Sequence, residues 1–151
     1  MSNSARATVP LSKSPNRLIG TIFGAVYIVV GLLGFTVTGG VGFVDPFLSD
    51  DQLLLGVFAV NPLHNVAHLL IGIALLIGGL SSVSAAKTVN GIVGAAYLLL
   101  GIVGFFLASD PESPMNFLAL NTADHFLHLA SAVILGGVAI GADKTARTAT
   151  V

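Results

Sequence analysis

The sequence predicts an all-α, polytopic membrane protein: a four-transmembrane-helix bundle made of two parallel helical-hairpin repeats. Hydrophobic residues make up 54% of the chain and charged ones only 9%, with a mean hydropathy of +0.94; a soluble domain needs roughly a quarter of its residues charged. Four apolar segments, near Leu18–Val37, Leu63–Leu80, Asn90–Ala108 and Phe117–Gly141, are long enough to cross a hydrocarbon core of about 30 Å, which takes roughly 20 helical residues. The apolar pattern also occurs twice. GAVYIVVGLLGF, Gly24 to Phe35, matches GAAYLLLGIVGF, Gly94 to Phe105, and NPLHNVAHLL, from Asn61, matches NTADHFLHLA, from Asn121.

Taken in order, residues 1–17 form a tail, 18–141 the transmembrane domain with repeats at about 18–80 and 90–141, and 142–151 a second tail. The first segment follows Arg6, Lys13 and Arg17, as in a signal peptide, but its apolar run is long and no small-residue cleavage site follows it, so it reads as a retained anchor helix. Lys87 lies between the second and third segments, and Lys144 and Arg147 follow the fourth; with the N-terminal three these are all 6 Lys and Arg. The other two connections carry only acids: Asp45, Asp50 and Asp51 in one, Asp110 and Glu112 in the other. The positive-inside rule then places both termini in the cytoplasm and both acidic connections outside. Both repeats enter from the same side, so they are expected to run parallel about an axis along the membrane normal. In the first outer connection Ser49, with Gln52 three residues on, begins SDDQLLLGVF like a capping box, which predicts a short interfacial helix.

Composition also excludes. The chain has no cysteine, which removes disulfides, thiolate metal sites and cysteine nucleophiles. A net charge of −1 gives no hint of a nucleic-acid partner. The expected partners are the lipid bilayer and either a second copy of the chain or a larger membrane assembly. No phosphate loop, Ser/His/Asp arrangement or carboxylate pair is present.

All four histidines fall in the duplicated stretch, His64 and His68 in one copy, His125 and His128 in the other. Asn61 precedes Pro62, the favoured order for an N-cap followed by a proline in the first helical position, and Asn121 stands in the same place. His64 and Asp124 then fall at the third helical position, where a side chain can reach back to the cap's backbone N–H; Asn61, His64, Asn121 and Asp124 are thus read as capping residues. His68 and His128 lie one turn deeper on the same faces, about 6 Å further in. Ionisable groups at that depth face the bundle interior. Two neutral imidazoles there can share an interhelical hydrogen bond, or bind a ligand or move a proton.

On the first and third segments Gly24, Tyr27, Gly31 and Gly34, and Gly94, Tyr97, Gly101 and Gly104, form one glycine-lined stripe each. Such stripes usually serve close helix packing, though they also leave room for a flat ligand. Three ligand readings stay open. The layer can bind no cofactor; His68 and His128 can ligate haem b across the bundle; or His64, His68, Asp124 and His128 can hold a divalent metal ion. A zinc protease is excluded because Asn65 stands where H-E-x-x-H has its glutamate. His125 lies about 100° round the helix from Asp124 and is not expected to share its face.

The helix order, the glycine and tyrosine stripes and the paired motifs N-x-x-H-N-x-x-H and N-x-x-D-x-x-x-H resemble a family of small four-helix bacterial membrane proteins, widespread in actinobacteria, classed as a domain of unknown function. The resemblance covers roughly Leu18 to Gly141 and implies a bacterial plasma-membrane location. It implies no established activity, cofactor or partner. Members carry asparagine where this chain has His125, paralleling Asn65, which implies that His125 is a departure and not an essential residue. The expectation is a structural or accessory membrane component, not an enzyme, with a His/Asp polar layer near the outer face. A haem- or metal-binding redox protein and a small proton-coupled transporter are the alternatives; Asp124 as the single embedded acid gives the transporter no polar path across the inner half.

Overall fold

The computed structural model describes residues 9–39, 52–107 and 113–144. Four helices carry the fold: α1 (Pro15–Val37), α2 (Pro62–Ser81), α3 (Val83–Leu107) and α4 (Thr122–Gly141). Each is long and apolar enough to cross a membrane, and the chain is a multi-pass, all-α membrane protein. Large apolar side chains such as Val26, Leu32, Ile77, Leu99 and Val133 stay exposed around the bundle. That is the surface a lipid-embedded bundle presents, since hydrocarbon solvates it and nothing drives it inward.

Helix boundaries follow the caps. Ser14 accepts a hydrogen bond from the Arg17 N–H and Pro15 occupies the first turn, so α1 starts earlier than Leu18 and Arg17 lies inside it. The expected start of α3 at Asn90 is also too late. Ser82 alone separates α2 from α3, its hydroxyl accepting from the Ala85 N–H at 3.1 Å, and most of the polar SSVSAAK stretch is therefore helical. At the other end, α4 begins at Thr122 and not at Phe117. Asn116 draws the preceding segment into a closed loop, donating to the Leu120 carbonyl at 2.9 Å and accepting from its N–H at 2.7 Å, while Ala119 adopts φ 53.

The expected interfacial helix is replaced by a small hairpin. Strands β1 (Leu53–Leu54) and β2 (Phe58–Ala59) pair antiparallel, and Leu55 and Gly56 turn the chain at φ 57 and 71. Left-handed backbone of this kind ends helical propagation. Ser49, the first residue of the supposed capping box, lies outside the described residues.

The two glycine stripes are seams. A Cβ on Gly24 would meet the Leu76 nitrogen at 2.5 Å, and one on Gly94 would meet the Gly136 nitrogen at 2.7 Å. Backbone of α2 and α4 thus fills the space that a flat ligand would need. Gly31 lies against Leu69 and Gly101 against Leu129. Towards the end of the bundle where α2 and α4 begin, Gly34 makes room for the Asn65 side chain and Gly104 for the His125 ring. Each of these glycine contacts in one hairpin has its counterpart in the other, at the residues the duplicated sequence aligns. Between the seams, Tyr27, Leu75, Val93, Tyr97, Ala132 and Leu135 form the buried core.

The end of the bundle carrying Arg17 and Lys87 is closed by a polar latch that the sequence analysis did not anticipate. Asn16 donates to the Val138 carbonyl at 2.9 Å and to the Asp143 carboxylate at 2.8 Å, and Ser14 donates to the same carboxylate at 2.9 Å. Asn90 in α3 donates to the Asn16 carbonyl at 2.9 Å. Burial pushes the Asp143 carboxyl up, but the Asn16 and Ser14 hydrogen bonds and the Lys87 charge outweigh it and hold the group below its ordinary value. Arg17 is buried and donates to the carbonyls of Gly79 at 2.9 Å, Leu80 at 2.8 Å and Val9. Gly79 and Leu80 belong to the last turn of α2, where unpaired carbonyls make a guanidinium welcome.

Candidate metal centre

The opposite end builds the candidate site. α2 and α4 both start on an asparagine cap: Asn61 accepts from the His64 N–H at 2.8 Å and Asn121 from the Asp124 N–H at 3.0 Å. The amide nitrogens of the two caps then cross over. Asn61 donates to the Phe117 carbonyl at 2.9 Å and Asn121 to the Val57 carbonyl at 2.8 Å. Each cap holds the loop that precedes the other, so one residue type ends the loop, starts the helix and clasps the two hairpins.

The two residues at the third helical position part ways. The Asp124 carboxylate accepts from the Asn121 N–H at 2.9 Å, completing a capping box, and from the Ala59 N–H on β2 at 3.2 Å. His64 contributes only its backbone N–H to its cap, and neither of its ring nitrogens makes a hydrogen bond. The carbonyls of Ala59 and Leu118 lie beside the ring without reaching hydrogen-bond geometry. The His64 side chain turns into the bundle instead. Its centroid lies 4.4 Å from that of His68 and 6.2 Å from that of His128.

His64, His68 and His128 thus converge: one ring nitrogen from each lies within 4.8 Å of the others. Asp124, expected as a fourth ligand, is not in this group, because its carboxylate is engaged at the cap and by β2. The three rings are 2%, 6% and 2% exposed, and His64 Nδ1, His64 Nε2, His68 Nδ1 and His128 Nδ1 are buried without a hydrogen-bond partner. No hydrogen bond joins His68 to His128. Tyrosines from the remaining helices wall the cluster: Tyr27 stacks on His68 at 5.3 Å and Tyr97 on His128 at 4.8 Å. Tyr27 is itself fixed by donating to the Ser131 hydroxyl at 2.8 Å. Rings from all four helices therefore meet here: Tyr27 from α1, His64 and His68 from α2, Tyr97 from α3 and His128 from α4.

His125 is fully buried, away from this group, with its ring 4.9 Å from that of Phe105. It occupies the niche above Gly104 that Asn65 occupies above Gly34. The fold and this arrangement sit within one span of sequence. The chain belongs to the DUF4383 family. That family, described as a domain of unknown function, matches residues 17–141, which takes in all four helices but for the first two residues of α1, and every residue of the histidine cluster. No curated protein and no solved structure matches the chain.

Ser131, Asn16, Arg17 and Asn90 were missed as interaction residues by the sequence analysis. For Asn90 a signal existed: an amide inside an otherwise apolar helix needs a buried partner. Ser131 carries no comparable mark, since a lone serine packs readily in a membrane helix.

Proposed function

We propose that this protein is a metal-binding component of the bacterial plasma membrane, with both termini cytoplasmic, that holds one transition-metal ion at His64, His68 and His128 near the outer face. The observation that carries the reading is the convergence of three buried imidazoles whose nitrogens lack other partners. Buried polar groups are nearly always satisfied, and leaving one unpaired costs about 1–3 kcal/mol. A bound ion would give one nitrogen of each ring a partner.

The accessory reading gains less support. It assigns the layer to helix registration, yet Asn61, Asn121 and Asp124 already clasp the hairpins without help from the imidazole rings. The interhelical imidazole hydrogen bond that a structural pair would make is not formed. Haem fits poorly: the His64 ring packs 4.4 Å from that of His68 and 6.2 Å from that of His128, and the glycine stripes that would admit a flat ligand are filled by helix backbone. Transport across the inner half has no support either, since Leu75 and Leu135 are fully buried and pack with Tyr27 and Tyr97 in the apolar core. The orientation rests on the placement of Lys and Arg.

The test is metal content. Protein purified in mild detergent, dialysed against zinc or copper and then against buffer, should retain one ion per chain by elemental analysis. His64→Ala, His68→Ala and His128→Ala should each lower it, and the triple variant should hold none while remaining helical by circular dichroism. Stoichiometric retention by the folded triple variant would defeat the proposal.

A further inference from the structure

Resting on the metal-binding reading above, we infer that the His64, His68 and His128 site is built for a monovalent ion, copper(I), and discriminates against divalent zinc. The argument is one of charge and ligand count. All three donors are neutral imidazoles when they ligate. Among the described residues Asp124 is the acid at this end of the bundle, and its Oδ2 is already shared between the Asn121 and Ala59 N–H groups. The other described acid, Asp143, is in the latch at the opposite end. Among the described residues, then, no carboxylate joins the three donors, and a bound ion has no directly coordinated anion to offset its charge.

That charge is surrounded by low-dielectric material. The three histidines are at most 6% exposed, Tyr27 and Tyr97 stack against two of them, and Leu75 and Leu135 are buried in the apolar core with those tyrosines. The solvation penalty for moving an ion into such a medium rises with the square of its charge, so a divalent ion is disfavoured far more than a monovalent one. Structural zinc sites offset that penalty with thiolates, and a three-histidine zinc site completes its tetrahedron with a water or hydroxide as fourth ligand. This chain has no cysteine, and the described structure brings three donors together. Copper(I) accepts two or three imidazoles in linear or trigonal arrangement and needs no fourth ligand.

Distances agree. A trigonal ion with metal–nitrogen bonds of about 2.0 Å holds its donor nitrogens about 3.5 Å apart. Donor atoms already within 4.8 Å of one another reach that separation by small ring rotations. The Ala59 and Leu118 carbonyls lie beside the His64 ring, and an acceptor for the non-ligating ring nitrogen is the usual means of fixing a metal-bound imidazole in orientation.

Anaerobic titration of chelator-stripped, full-length protein in detergent tests this, with copper(I) competed against bicinchoninate and zinc(II) against a zinc-responsive dye. One copper(I) per chain should be held about tenfold or more tightly than zinc. His68→Gln and His128→Gln should lose the competition with bicinchoninate, whereas Asp124→Asn, which can still accept hydrogen bonds at the cap, should leave copper(I) affinity within about threefold. Tighter zinc than copper(I) would overturn this inference and leave the metal-binding reading standing. Loss of copper(I) in folded Asp124→Asn would overturn the carboxylate-free site on which the inference depends. Binding of neither ion would overturn both readings.

Discussion

The ring of Tyr97 lies parallel to that of His128, 4.8 Å away with 9° between their planes. This stack fixes the imidazole from α4 with a side chain from α3, so the ring's position is set before any ligand arrives. Tyr97→Phe keeps the stack and should leave metal affinity within about threefold of wild type, whereas Tyr97→Ala removes an aromatic contact worth about 0.5–1.5 kcal/mol and should weaken binding by about three- to tenfold. Equal affinities for the Phe and Ala variants, measured by chelator competition, would show that the stack does not position His128.

The seams predict a contrast between glycines. At Gly24 even a Cβ would meet the α2 backbone at 2.5 Å, whereas at Gly137 it would meet nothing within 4 Å. Gly24→Val should cost about 1–3 kcal/mol through overpacking, and Gly137→Ala should be neutral. Thermal unfolding in detergent, followed by circular dichroism, reads both; a neutral Gly24→Val would contradict the seam.

Asp143 predicts a pH dependence at the latch. Its folded-state pKa is depressed, so the unfolded chain binds the proton more tightly and the contribution to stability is fully present above the ordinary carboxylate pKa of about 3.9. It is lost as pH falls through the lower, folded-state value. Asp143→Asn should therefore unfold more easily than wild type at neutral pH, with the gap narrowing in acid. A gap that stays constant down to pH 3 would exclude ionised Asp143 as its source.

Orientation is accessible to labelling. Cysteines introduced in the acidic connections at Asp51 and Glu112 should react with an impermeant thiol reagent on intact cells, and one at Lys87 should react only after lysis. Labelling of Lys87→Cys in sealed cells would reverse the proposed topology.

The four helices and the asparagine caps were legible in the sequence because each rests on local physics: an apolar run of bilayer length, and a side chain that satisfies its own helix end. The pairing of Gly24 with Leu76 and Gly94 with Gly136 could be anticipated only as a choice, since a glycine stripe reads the same whether backbone or ligand fills it. What local rules could not settle was direction. His64 and Asp124 occupy the same helical position, yet one ring turns into the bundle while the other carboxylate turns back to its cap and to Ala59, a residue on a hairpin that the sequence analysis expected to be helical. The latch was hidden for the same reason. Asn16 and Asp143 are 127 residues apart, and nothing near either one in sequence announces the other.

X-ray absorption at the metal edge of the copper-loaded, purified protein reaches the central claim most directly, because it counts and identifies the donors themselves. Three nitrogen donors at about 2.0 Å, with the outer-shell scattering of imidazole rings, are predicted, falling to two in His64→Ala. A shell dominated by oxygen, or one unchanged when His64, His68 and His128 are all replaced in protein that remains folded, would contradict the account.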